Sequence, residues 1–163
     1  GGDPNSPDRK ALEARIARLN GRVQTITREM SDNEVKNLFR NVDVFVSLHR
    51  SEGFGRGLAE AMALGTPVVA TGWSGNMDFM DADTALLVDH RLVPVKAGEY
   101  VFGEGQHWAE PDIVQASRLI EQVMDDPRAA RARADRARRR IRTQLGPRAV
   151  GLAAAEHLAA ALG

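Results

Sequence analysis

The sequence predicts an α/β fold: a parallel sheet flanked by helices. Short apolar runs alternate with segments of helical period, the order that builds parallel sheets. The runs "VDVFVSL", "TPVVAT" and "ALLV" are nearly unbroken, as strands covered on both faces are, rather than alternating as half-wet strands do. A glycine-rich turn, "EGFGRG", joins the first of these runs to a helix. At 163 residues the chain is expected to hold one core rather than two.

Taken in order, residues 1 to 8 are rich in Gly, Asp, Pro, Asn and Ser and read as a loop. "ALEARIARL" then places Leu12, Ile16 and Leu19 on one face of a helix ending near Asn20-Gly21. "RVQTIT" is β-branched and predicts a strand over 22–27. Ser31, with Glu34 three residues on, has capping-box spacing and opens a helix to about Arg40. Strands follow near 42–48, 67–71 and 85–88, with a helix at 55–64 between the first two. From 89 to 111 two prolines and Gly98, Gly103 and Gly105 break every period, which predicts a long loop.

Asp112 is the expected N-cap of the next helix, with Ile113, Ala116, Ile120 and Val123 facing inward. Asp126-Pro127 opens another helix, which runs through "RAARARADRARRRIRTQL" to Gly146. An alanine-rich helix over 146–163 closes the chain.

Lys plus Arg equals Asp plus Glu at 22 each, so no global field favours nucleic acid or a membrane surface. Seven arginines lie between Arg131 and Arg142, but no aromatic residue is interleaved for base stacking, and a solvated helix accounts for them. The absence of cysteine removes thiolate chemistry and fits a reducing cytoplasm. The four histidines are scattered without metal-ligand spacing, so no metal site is expected. No apolar run is long enough to cross a bilayer.

The chemistry is expected at the strand-to-helix turn, because open parallel sheets bind ligands beyond the carboxyl ends of their strands. Gly53, Gly55 and Gly57 let a ligand approach the backbone, and the amides near Gly55 to Leu58 are unpaired donors at a helix start, suited to a phosphate or a sugar hydroxyl. Leu58, Ala61, Met62 and Gly65 form the core stripe of that helix, which puts Arg56 and Glu60 on its other side. Glu60 is placed to hold the paired hydroxyls of a ribose, with Glu52 facing the other end of the same ligand. Spacing alone leaves a second reading open, an exposed Arg56–Glu60 pair with no ligand role. The glycines do not form the dinucleotide fingerprint, which argues against a dehydrogenase.

"SEGFGRGLAEAMALGTPVVAT", followed by "GWSGNMDFM" and then "WAEPD", resembles the donor-sugar half of GT-B glycosyltransferases, specifically glycosyltransferase family 4, over roughly residues 20 to 145. That family brackets a Gly-rich turn with a Glu-x7-Glu motif, as Glu52 and Glu60 do.

The resemblance implies retaining, metal-free sugar transfer from a nucleotide-sugar at a cleft between two Rossmann-like domains. Glu60 would bind the ribose, and Glu52 would contact the transferred sugar near the reaction centre. The backbone of Gly53, Phe54, Gly55, Arg56, Gly57 and Leu58 would meet sugar hydroxyls and the diphosphate. Thr27, Arg28 and Met30 align with the stretch that holds the base, although "TITREM" lacks the family's usual glycine there. Ser74, Gly75 and Asn76 match a loop facing the donor sugar. His49 and Arg50 read equally as supports for the motif or as a solvated turn. Trp73 and Trp108 read as packing residues.

The resemblance also implies that the whole chain is a partial, C-terminal GT-B domain with its first strands missing and its acceptor domain on a preceding segment. The strand at 22–27 would be orphaned and open to pairing with another copy, and the helix at 146–163 would dock on the absent domain or on another copy. The expected role is the donor-binding portion of a cytoplasmic or inner-membrane-peripheral enzyme of bacterial surface polysaccharide synthesis, inactive alone, with no cofactor. Nucleic acid is not an expected partner. The alternatives are a non-catalytic nucleotide-sugar-binding or scaffold module and a small α/β signalling domain. The second lacks the clustered acids such domains place at strand ends.

Overall fold

A computed structural model describes residues 6–162, which divide into two units, Gly1–Ser31 and Asp32–Gly163. In the first, α1 (Pro7–Ala17) starts where Ser6 Oγ accepts from the Arg9 N–H at 3.3 Å, with Pro7 in the first turn where its missing N–H costs nothing. The predicted apolar face is largely open, since Leu12 and Leu19 are exposed. The strand expected over 22–27 does not form. A strand exists only by its neighbour's hydrogen bonds, and among the described residues none pairs with this segment, so its β-branched side chains Val23 and Ile26 stay exposed.

The second unit is the predicted α/β core. α2 (Asp32–Arg40) begins one residue after the expected cap and buries Phe39. Three parallel strands, β1 (Phe45–Ser47), β2 (Val68–Thr71) and β3 (Leu86–Val88), pair in the order β1-β2-β3, with Phe45 opposite Val68 and Val69 opposite Leu86. β2 is central and wholly buried. Its side chains alternate, so Val68 and Ala70 join one apolar cluster while Val69 joins another on the opposite face. β1 is an edge, which is why the near-continuous run "VDVFVSL" is less covered than predicted and Val46 is 39% exposed.

α3 (Arg56–Leu64) follows β1 and buries Leu58, Ala59, Ala61 and Met62 against the first cluster, with Gly65 capping it at φ +80. On the other face lies α4 (Ile113–Asp125). Asp112 Oδ1 accepts from the N–H groups of Val114 and Gln115 at 2.9 Å, as its N-cap role predicts. Ala116 and Val123 are buried as expected, but Ile113 is 57% exposed. It is the first residue of the helix and projects before the packed turn.

α5 (Pro127–Gln144) crosses from one cluster to the other through Ala130, Ala134, Ala137 and Ile141. Its arginines are not uniformly solvated. Arg133 Nε and Arg136 Nε donate to the carbonyls of Ala82 and Asp83 at 3.3 and 2.9 Å, and Arg140 pairs with Asp81. They hold the β2–β3 crossover, whose only helix is a 3-10 turn, Gly75–Asp78. α6 (Pro147–Leu162) buries none of its residues.

The loop expected over 89–111 is an antiparallel ribbon of β4 (His90–Pro94) and β5 (His107–Pro111). Both prolines sit at its ends, Pro94 opposite His107 and Pro111 opposite His90, where a missing donor is tolerated.

Candidate functional site

The carboxyl ends of β1, β2 and β3 bring three connections together. The first is the predicted glycine turn. Gly55 stands at φ +90 as N-cap of α3, a conformation that favours glycine, and a Cβ there would also press on Asn76 Cβ and Leu58 Cδ1 at 3.2 Å, so those side chains would have to give a little. No side chain among the described residues caps α3, and its first internal bond is Ala59 N–H to Gly55 O at 2.9 Å, which leaves the N–H groups of Arg56, Gly57 and Leu58 without an acceptor among those residues. These donors and the positive end of the helix dipole make the turn suited to an anion.

The second connection follows β2. Ser74 Oγ donates to Glu52 O at 2.6 Å and the Gly75 N–H donates to the same oxygen at 3.1 Å, while the Glu52 N–H meets Ser74 Oγ at 3.3 Å. The contact is so close that a Cβ on Gly75 would fall 1.8 Å from Gly53 O. Ser74 has φ +79 and ψ −157, a region occupied almost only by glycine. Asn76 is buried, and its amide donates to Thr71 O at 3.1 Å.

The third is the ribbon. The Ala109 N–H donates to Arg50 O at 2.9 Å, Arg50 pairs with Glu110 at 2.7 Å, and its guanidinium lies 5.2 Å from the centre of the Trp108 ring. Trp73 packs on His90 with ring centres 5.0 Å apart, so both tryptophans pack as predicted. Within the ribbon, the Lys96 N–H and the Trp108 indole N–H both donate to Glu99 and hold its carboxyl below the ordinary range.

The sequence-predicted residues Glu52, Gly53, Phe54, Gly55, Arg56, Gly57, Leu58, Glu60, Ser74, Gly75 and Asn76 therefore share this edge of the second unit. Glu60 lies off the core stripe, 42% exposed and 3.6 Å from Arg56 Nε. The side chains of Leu58 and Asn76 are buried, so only their backbones can face a ligand. Phe54 is half-exposed and leans on Phe79 with ring centres 5.3 Å apart. Thr27, Arg28 and Met30 belong to the first unit, whose segment there is not a strand. Sequence reasoning missed the ribbon's bolt to Arg50, signalled only by "WAEP", and the buried Thr71 hydroxyl, which has no partner among the described residues and had no sequence signal. Among the described residues no group of three His, Asp or Glu side chains converges as a metal would require.

A family model of glycosyl transferases group 1 matches residues 1–140. The chain belongs to that family. Group 1 glycosyltransferases adopt the GT-B fold, and the solved structure of sucrose-phosphate synthase from Thermosynechococcus elongatus superposes on this chain with a TM-score of 0.69 at 22% identity. The match covers 98% of this group 1 chain and 37% of the synthase. No curated protein sequence matches.

Proposed function

We propose that this chain is the donor-binding portion of a retaining glycosyltransferase that moves a sugar from a nucleotide-sugar to a glycan or lipid-linked acceptor, in bacterial surface polysaccharide synthesis. The observation that carries the reading is the α3 start: three amides with no acceptor among the described residues, beside a carboxylate one turn inside the helix, on the exposed side. The amides suit a diphosphate, and Glu60 can accept both ribose hydroxyls at once. Glu52, whose backbone is held by Ser74 and Gly75, is assigned to the transferred sugar, with Ser74, Gly75 and Asn76 along the same sugar. No cofactor or metal enters this reading.

Transfer also needs an acceptor domain, which we assign to another part of the parent polypeptide; the match to little more than a third of a solved GT-B chain supports that. The bare apolar residues of α6, Val150, Leu152, Leu158 and Leu162, would dock on that domain or on a second copy. No helix among the described residues is long and apolar enough to cross a membrane, in keeping with a cytoplasmic enzyme peripheral to it.

Calorimetric titration of UDP- and GDP-sugars into this chain tests the reading. Glu60→Ala is expected to weaken binding about tenfold or more, since hydrogen bonds to a charged group contribute roughly 1.5–3 kcal/mol. Binding that ignores the substitution refutes the ribose assignment, and no binding by the unaltered chain refutes the function.

A further inference from the structure

The contacts of His49 fix which of its nitrogens carries the proton. Nε2 stands 3.0 Å from both the Trp73 carbonyl oxygen and Asn76 Oδ1. The Asn76 amide nitrogen is already committed to Thr71 O, so Oδ1 is the atom that faces the ring. Two acceptors against one nitrogen require an N–H there. In the neutral ring Nδ1 then accepts from the Ser47 hydroxyl at 3.1 Å. Both nitrogens are taken by protein, and none remains to exchange a proton with a substrate.

What the ring holds is unusual. Its Nε2–H grips the carbonyl of the peptide that enters Ser74, the residue forced into glycine's territory at φ +79 and ψ −157. Such a conformation costs roughly 1–3 kcal/mol and survives only where surroundings over-determine it. Here the tethers lie on both sides: His49 before Ser74, and the Ser74 and Gly75 bonds to Glu52 at and after it. Because the peptide unit is planar, fixing the Trp73 carbonyl also fixes the direction of the Ser74 N–H, which meets no acceptor among the described residues.

We propose that His49 is a positioning residue of the donor site: by clamping the Trp73 carbonyl and Asn76, it holds strained Ser74 and sets the 74–76 turn against the glycine turn. It touches no ligand. What the turn serves rests on the function proposed above; the clamp does not.

Three variants test it: His49→Ala, His49→Gln, whose amide N–H can reach the same acceptors, and Ser74→Gly, which adopts positive φ freely. Amide hydrogen exchange at Gly75 is expected to quicken roughly tenfold in His49→Ala and to return most of the way in His49→Gln. Affinity for nucleotide-sugar is expected to fall about five- to tenfold in His49→Ala, as for one lost hydrogen bond, with affinity for the free nucleoside diphosphate unchanged. In a Ser74→Gly background the same substitution should cost less, because no strain remains to hold. Unchanged exchange at Gly75 overturns the clamp, and equal losses for both ligands overturn the positioning role. If the unaltered chain binds no nucleotide-sugar, the proposed function falls and the exchange result alone decides the clamp.

Discussion

Gly75→Ala should separate the two loops of the site. An added Cβ would lie 1.8 Å from Gly53 O, 2.6 Å from Gly53 C and 3.1 Å from Phe54 Cα, all backbone atoms that cannot swing aside. A comfortable carbon–oxygen contact is about 3.3 Å, so the loops must part by about 1.5 Å. That stretches the Gly75 N–H to Glu52 O bond from 3.1 Å, and the Ser74 Oγ bond from 2.6 Å, beyond hydrogen-bonding range. Two to three bonds at about 1 kcal/mol each give a loss of about 2–3 kcal/mol, or a fall in Tm of roughly 5–10 °C. Gly53→Ala is the control, since nothing lies within 4 Å of its added Cβ and its φ is not positive; it should cost about 0.5 kcal/mol or less. Urea and thermal unfolding of the two variants, side by side, give the answer. Equal stabilities would refute the close approach of these loops.

Acid should expose the α5 clamp. Partial burial pushes the Asp81 carboxyl up, but the Arg140 guanidinium, the Thr84 hydroxyl and the Asp83 N–H outweigh it and hold it below its ordinary 3.8. A lowered folded value stabilises above the unfolded one, so Arg140→Gln should cost about 0.5–1 kcal/mol at neutral pH, kept small by the half-exposed carboxylate, and the gap should close only as pH falls below about 4. A gap that widens in acid contradicts the sign. Met62→Ala, at a side chain with no exposure, should cost about 2–5 kcal/mol by denaturant unfolding. Asp112→Ala removes the acceptor of two amides and should cost about 1 kcal/mol, read as lost helix content and a lower Tm.

The parts of the fold that declare themselves locally were legible. β2 shows as an unbroken apolar run because both its faces are packed, and Asp112 and Asp126 mark helix starts because a carboxylate caps amides without help from the rest of the chain. Glu60 was placed off the core by helical period alone. What depended on partners was not legible. "RVQTIT" has strand propensity but no ladder to join, while "HRLVP" and "HWAEP" pair across twelve intervening residues with prolines at the ends and no alternation to mark the ribbon. Within the site, the glycines and the two carboxylates stood out by spacing, but nothing in the residue pattern showed that His49 spans 24 and 27 positions to reach Trp73 and Asn76.

The β2–β3 crossover lacks a long helix of its own and is gripped from outside by Arg133, Arg136 and Arg140, 51 to 59 positions further along. During synthesis, then, the 81–83 end of that crossover cannot be secured when its own residues leave the ribosome, whereas the 74–76 turn already has His49 and Glu52 to hold it. That end must wait for α5 to emerge, so the crossover is pinned in two stages, its 74–76 turn first and its 81–83 end last. A ribosome-stalled chain ending before Arg133 would carry both turns of the site with the 81–83 end of the crossover still loose.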